Sequence, residues 1–259
     1  MGAVFDIDRI SFAYGNRPII KTLSARLESG IFYGILGPNG CGKTTFLDLL
    51  VNHQKPASGR ILFRGTPLRD YSIKALAREM ALVAQNFYVN FPFTVQEIVT
   101  MGRYPFTPRF SSLSEADGRQ VERVMQQTGV DQFKDEFITE LSGGERQRVV
   151  FTRALAQDTP ILILDEATSN LDIRHAIQML NIAAEGVHQK GKTVIAVFQD
   201  INLAATYCDR LLFMKKGRIA AQGKTEAILS ENTLFDVFGI QSKVYFDTYA
   251  NAKQVVFGR

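Results

Sequence analysis

Leu23, Ala25 and Leu27 alternate with Ser24, Arg26 and Glu28. This two-residue period predicts a strand with one face buried, with an antiparallel partner. The run Ile31-Phe32-Tyr33-Gly34-Ile35-Leu36 is apolar apart from its glycine, as befits a strand covered on both faces of a parallel sheet. It leads into the glycine-rich stretch Gly37–Gly42, after which Phe46, Leu47, Leu49 and Leu50 recur with helical spacing. Met80–Ala84, Ile161–Leu164 and Val194–Phe198 read as further buried strands, each followed by polar residues and then a helical pattern. Strands alternating with helices predict an α/β layer fold with a parallel sheet. Ligands of such sheets sit beyond the carboxyl ends of the strands. Gly37–Thr45, Gln85, Asp165-Glu166 and Gln199-Asp200 are therefore expected to converge on one crevice.

The stretch from roughly 90 to 157 reads as helical. Thr94 and Glu97 have capping-box spacing, Ser114 can cap a helix carrying Val121, Val124 and Met125 on one face, and Gly129 is a stop signal. Between these lies Arg103–Phe110, a loop stiffened by Pro105 and Pro108. Leu211–Met214 and Arg218–Gln222 flank Lys215-Lys216-Gly217 as a hairpin, and Lys243–Phe246 and Gln254–Phe257 read as two short strands in a tail from about 240 to 259. No repeat or low-complexity linker interrupts the chain. The expectation is one domain over residues 1–259, with a helical subdomain over roughly 90–157.

The composition narrows the class. With 46% hydrophobic and 22% charged residues, the chain is that of an ordinary globular protein rather than a disordered one. A net charge of +4 without a polybasic block gives only slight grounds for nucleic-acid binding and leaves room for a mildly basic face toward phosphates or a membrane surface. Two unclustered cysteines, Cys41 and Cys208, fit a reducing compartment and no zinc site. The N-terminus carries an acidic residue where a signal peptide would be apolar, and no apolar run approaches the ~18 residues of a membrane span. A soluble protein that can still dock on a membrane protein is expected.

Two constellations carry chemistry. Gly37, Pro38, Asn39, Gly40, Cys41, Gly42, Lys43 and Thr44 fit the phosphate-loop pattern, with Thr45 following inside the helix. The glycines let backbone N–H groups turn inward around phosphate oxygens, and the helix dipole points at the same anion. Lys43 can reach the β- and γ-phosphates, and the Thr44 hydroxyl can bind Mg2+. The alternative is a glycine-rich turn with an incidental lysine. The second constellation is Asp165-Glu166 at the end of an apolar strand: Asp165 to hold magnesium, and Glu166 to face an attacking water as general base. Here the alternative is a strand cap with both carboxylates solvated.

Leu141-Ser142-Gly143-Gly144-Glu145-Arg146-Gln147-Arg148 resembles the signature of ATP-binding cassette (ABC) ATPases. Ser142 can cap the helix that follows, and the two glycines expose its amides. The resemblance covers nearly the whole chain, with the motifs in family order. It implies a P-loop NTPase core with a mainly parallel sheet, an antiparallel β subdomain and a helical insertion, using ATP and Mg2+. It also implies a head-to-tail homodimer in which the signature of one subunit, Ser142 to Glu145, covers the γ-phosphate on the other's loop. Tyr14 matches the aromatic residue that stacks on adenine. Gln85 matches the glutamine that contacts magnesium and water and senses the membrane partner. Ser169-Asn170-Leu171-Asp172 matches the loop that touches the opposite subunit, although Asp172 can equally be a plain helix N-cap.

Two positions depart from the family. Gln199 stands where a histidine is expected, while His53, His175 and His188 lie elsewhere and read as solvated residues. A glutamine keeps an N–H donor for the γ-phosphate but cannot exchange a proton near neutral pH, so ATP binding is expected to survive with reduced turnover. Ala167 stands where proline usually follows the glutamate, leaving a less rigid turn.

Met101-Gly102-Arg103-Tyr104-Pro105, Leu171–His175, Asp200–Ala205 and Tyr207–Arg210 resemble the importer branch serving iron–siderophore, haem and cobalamin uptake. That likeness implies a pair of these chains peripheral to the cytoplasmic face of the inner membrane, under two integral membrane permease subunits, with an extracytoplasmic substrate-binding protein acting indirectly. The loop Arg103–Phe110 and the aromatics Phe87, Tyr88, Phe91 and Phe93 are candidates for the docking surface, or simply pack the subdomain. A non-transport cassette protein and a nucleotide-gated module with little hydrolysis are the other readings. The cargo leaves no mark, since such a subunit touches ATP and its membrane partners only.

Overall fold

The computed structural model describes residues 2–258 except 86–88, 90, 109–110 and 170. In chain order the strands are β1 (Ala3–Tyr14), β2 (Arg17–Glu28), β3 (Phe32–Leu36), β4 (Ser58–Phe63), β5 (Thr66–Pro67), β6 (Met80–Val83), β7 (Ile161–Asp165), β8 (Thr193–Val197), β9 (Arg210–Lys215), β10 (Arg218–Lys224), β11 (Ser242–Asp247) and β12 (Ala252–Phe257). The helices are α1 (Lys43–Leu50), α2 (Ile73–Glu79), α3 (Val95–Thr100), α4 (Glu115–Thr128), α5 (Gly143–Gln157), α6 (Ile173–Lys190), α7 (Ile201–Tyr207), α8 (Thr225–Ile228) and α9 (Glu231–Phe238). The chain divides into two compact units: Met1–Tyr71 with Gly186–Arg259, and Ser72–Glu185.

In the first unit, β3 runs parallel to β8 on one side and to β9 on the other, and β9 continues into the antiparallel β10. Every residue of β3 and β8 is buried, the two-sided burial expected from their unbroken apolar sequence. Backbone donors at the strand entrance are satisfied by side chains. The Phe32 N–H donates to Asp209 Oδ2 at 2.8 Å, and the Glu28 N–H to the Tyr33 hydroxyl at 2.6 Å. Burial pushes that phenol's pKa up. A separate antiparallel sheet has the order β2-β1-β4-β5. It buries Phe5, Ile7, Ile10, Leu23 and Leu27 while Asp6, Arg26 and Arg60 stay exposed. β9 and β10 pair antiparallel about the turn at Lys216-Gly217, the hairpin expected there, and β11 pairs antiparallel with β12.

The second unit holds the parallel pair β6 and β7 and a helical cluster. Three helices start with complete capping boxes: Thr94 with Glu97, Ser114 with Asp117, and Ser142 with Glu145. Each cap satisfies amides that the first helical turn leaves open, worth about 1 kcal/mol. Gly129 ends α4 in the left-handed conformation at φ 65°. Val95, Ile98, Val99, Val121, Val124, Met125 and Val149 form the cluster's apolar core.

This unit also carries a half-buried polar staple that the residue pattern did not predict. Arg103 Nε donates to Asp117 Oδ1 at 2.7 Å, its Nη1 donates to the carbonyls of Ala156 and Gln157 at 2.8 and 3.2 Å, and its guanidinium lies 4.5 Å from the Phe106 ring centre. The 103–108 loop is thus fastened by an arginine, not by its prolines alone. Tyr104 remains 57% exposed, so the loop does offer an aromatic to solvent. Arg109 and Phe110 of that loop lie outside the described residues, as do Phe87 and Tyr88. Phe91 is exposed and packs on Phe93 at 4.8 Å, and Phe93 in turn rests on the helical core. The two docking aromatics among the described residues therefore divide, one outward and one inward.

Candidate functional site

The glycine-rich loop joins β3 to α1 in the first unit. Gly37 is dictated by packing as much as by the turn: its φ is 157°, and a Cβ there would stand 2.2 Å from the Met214 carbonyl oxygen of β9. Gly42 occupies the N-cap of α1 with φ 106°, where a Cβ would meet Ile20 Cδ1 at 2.9 Å. No N-cap side chain closes off the start of α1, unlike α3, α4 and α5. That is the arrangement of an anion site. Lys43 is 6% exposed, and its Nζ donates to the Gly37 carbonyl at 2.8 Å and, more weakly, to the Pro38 carbonyl at 3.4 Å. The ammonium is held over the loop, with protons to spare. Cys41 is buried, which raises its thiol pKa, partly offset by the Lys43 charge. Thr45 is buried with the helix, and Asn39 and Gly40 lie at the outer, more open part of the loop.

Gln199 follows β8 at the same end of the sheet as this loop. Ile35 of β3 is opposite Val197, and the Phe198 N–H donates to the Ile35 carbonyl at 3.0 Å. Gln199 is exposed, and Asp200 caps α7 by accepting from the amides of Asn202 and Leu203 at 2.7 and 3.1 Å. Tyr14, at the end of β1, is 49% exposed and meets Phe12 edge-on at 4.9 Å.

In the second unit β7 delivers Asp165 and Glu166, 5% and 9% exposed. The structure brings Gln85 and Glu166 together, Gln85 Nε2 donating to Glu166 Oε2 at 2.8 Å. Their 81-residue separation in sequence gave no sign of this contact. Glu166 sits at φ 49°, and the turn after it is closed by Ser169, whose N–H and hydroxyl both donate to the Glu166 carbonyl, at 3.1 and 2.8 Å. Thr44 of the first unit carries a hydroxyl, and Gln85 and Asp165 of the second an amide carbonyl and a carboxylate. Each is an oxygen donor of the kind magnesium takes and a soft metal does not.

At the start of α5, Ser142 Oγ accepts from the Glu145 amide at 3.4 Å while Glu145 Oε2 accepts from the Ser142 amide at 2.8 Å. These hydrogen bonds hold the Glu145 carboxyl below the usual carboxylate range, Arg148 and His175 adding to the effect. Ser142 and Gly143 are exposed and Gly144 half-buried, so this second helix N-terminus is open to solvent. Asp172 caps α6: its Oδ1 accepts from the His175 amide at 3.0 Å and its Oδ2 lies 2.7 Å from His175 Nδ1. Those contacts lower its pKa, the backbone one foremost. His175 is therefore a paired residue rather than a freely solvated one, and the N-cap reading of Asp172 holds. Asn170 of the same loop lies outside the described residues.

A family model described as ABC transporter matches residues 20–169. The ferric enterobactin transport ATP-binding protein FepC of Escherichia coli is 36% identical over 249 residues, 96% of this chain and 92% of FepC. The cobalamin import ATP-binding protein BtuD of Halobacterium salinarum is 36% identical over 96% of this chain, which spans only 62% of BtuD. Among solved structures, the dimeric bacterial ABC transporter cassette MJ0796 superposes with a TM-score of 0.76 at 26% identity, covering 85% of this chain and 98% of that one.

Proposed function

This chain belongs to the ABC transporter family, and from that premise we propose that it is the ATPase subunit of an importer for metal chelates. ATP hydrolysis coupled to transport is the activity of the family. The finer assignment, to cargo of the iron–siderophore, haem or cobalamin class, is supported by relatives such as FepC and BtuD, named for ferric enterobactin and cobalamin. The observation that carries the catalytic reading is the uncapped α1 with Lys43 drawn over its glycine loop.

The residues divide the work as follows. The loop amides of Gly40 to Thr45 bind the phosphates, and Lys43 exchanges its carbonyl partners for phosphate oxygens. Tyr14 stacks on the adenine. Thr44, Asp165 and the carbonyl of Gln85 would hold Mg2+, which would supply neutralisation of phosphate charge. Glu166 accepts the proton of the water whose oxygen bonds to the γ-phosphorus as the bond to the ADP oxygen breaks. For that, Gln85 must release the Glu166 carboxylate, and Gln85 then orients the same water. Gln199 donates its amide N–H to the γ-phosphate, and having no titratable proton it leaves turnover slow.

A head-to-tail dimer completes each site, with Ser142, Gly143, Gly144 and the α5 amides of one copy covering the phosphate held by the other. That the similar MJ0796 cassette is dimeric supports a pairing of two such chains. Two integral membrane permease subunits above the dimer, on the cytoplasmic side of the membrane, turn its closure into transport. Among the described residues no helix is long and apolar enough to cross a membrane, so the translocation path belongs to those partners.

The test is steady-state ATPase of the chain assembled with its permease subunits. Glu166→Gln and Lys43→Ala are expected to abolish turnover, and Gln199→His to raise it. Full hydrolysis by Glu166→Gln would overturn the assignment of the base, and unchanged turnover in Gln199→His would overturn the account of Gln199.

A further inference from the structure

We propose that Ser169 is a positioning residue for Glu166, and that its hydroxyl supplies a restraint which a proline at position 167 would otherwise provide. The proposal rests on the reading of Glu166 as the base.

Glu166 leaves β7 at φ 49°, a left-handed conformation that a residue with a side chain keeps only when its surroundings enforce it. Ser169 holds the carbonyl side of that residue. Its N–H closes a β-turn onto the Glu166 carbonyl at 3.1 Å, and its hydroxyl donates to the same oxygen at 2.8 Å. One residue thereby engages one carbonyl twice. Ala167, the second residue of the turn, is 2% exposed, and an alanine leaves φ free where a proline would fix it near −65°. The restraint absent at 167 is present at 169.

The far end of Glu166 is held differently. Gln85 Nε2 donates to Oε2 at 2.8 Å, occupying a lone pair the carboxylate needs to take a proton from water. That contact has to open for catalysis, whereas the Ser169 clamp does not. Once Gln85 has let go, the backbone conformation of Glu166 still sets the direction in which its side chain leaves the chain. Without the hydroxyl, the turn keeps its N–H bond but φ of Glu166 is freer to relax, and a carboxylate displaced by about 1 Å loses rate without losing substrate.

The experiment is steady-state ATPase of the full chain with its permease subunits, in four forms. Ser169→Ala is expected to lower kcat about five- to tenfold, with KM for MgATP within about twofold, the signature of a contact used in the chemical step. Ser169→Thr keeps a hydroxyl and should retain most of the rate. Adding Ala167→Pro to Ser169→Ala should recover most of the lost kcat. That recovery distinguishes a turn restraint from a direct contact of the hydroxyl with a second subunit, which a proline two residues upstream cannot replace. An unchanged kcat in Ser169→Ala, a rise in KM with kcat intact, or a loss that neither threonine nor Ala167→Pro recovers would each overturn the proposal. Glu166→Gln serves as the fourth form. If it hydrolyses ATP normally, the base assignment fails and the proposal falls with it; if it is inactive while Ser169→Ala is unaffected, the proposal alone fails.

Discussion

Lys43→Ala offers the sharpest quantitative test of the phosphate loop. In this structure the ammonium rests on two carbonyls, one at 2.8 Å and one at 3.4 Å, and the longer contact contributes little. Freeing the group to meet a phosphate therefore costs about one hydrogen bond from the ammonium to an uncharged carbonyl, while the bond it gains is to an anion. Such bonds contribute roughly 1.5–3 kcal/mol net, so the variant should bind MgATP about 10- to 150-fold more weakly. The fold should suffer less. α1 does not use Lys43 as a cap, and the Gly37 carbonyl left behind lies beside an open loop where water can replace the ammonium, so about 1 kcal/mol of stability is at stake. The assay is isothermal titration with MgATP in a Glu166→Gln background, which keeps the substrate intact, together with a thermal melt of the same samples. An affinity within about threefold of the parent, in a variant that melts normally, would refute the claim that Lys43 engages phosphate. Loss of binding with loss of the fold would refute the claim that Lys43 is dispensable to α1.

Further outcomes follow from the helical unit. Arg103→Met removes the charged partner of Asp117 and two donors to the end of α5, both side chains being 15% exposed. Breaking a largely buried pair on one side should destabilise this unit by about 3 kcal/mol, read as an earlier transition in urea unfolding; a shift below about 0.5 kcal/mol would mean the staple is solvated. The Asp117 carboxyl is held below its usual range by the Ser114 hydrogen bonds and then by Arg103. A carboxyl depressed in the folded state adds stability that is present above its unfolded pKa, about 3.9, and lost as pH falls through the folded value. The melting temperatures of the parent and Asp117→Asn should therefore differ near neutral pH and converge below about pH 4; a difference constant with pH would place the effect elsewhere.

The parallel strands were readable because burial on both faces writes an unbroken apolar run, as at Phe32–Leu36 and Ile161–Leu164. Helix starts were readable too, since Thr94, Ser114 and Ser142 each act on an amide three residues away. What escaped was contact between distant residues. Arg103 reaches the end of α5 some 53 residues on, Gln85 finds Glu166 81 residues away, and Gly37 is glycine partly because β9 lies against it. The Asp172–His175 pair was within reach of local reasoning: an N-cap aspartate with a histidine three residues later can bond both its amide and its ring. The antiparallel sheet was only partly legible. β1 meets β2 through several register shifts, and bulges of that kind disturb the alternation from which strands are read.

The central claim is that ATP joins two copies of this chain, each lending Ser142 and Gly144 to the phosphate held by the other's Lys43. The most direct measurement is sedimentation velocity of Glu166→Gln with and without MgATP. The account expects a monomer without nucleotide and twice that mass at saturating MgATP, the shift vanishing when Lys43→Ala or Ser142→Arg is added. A chain that binds MgATP fully and still sediments as a monomer would contradict it.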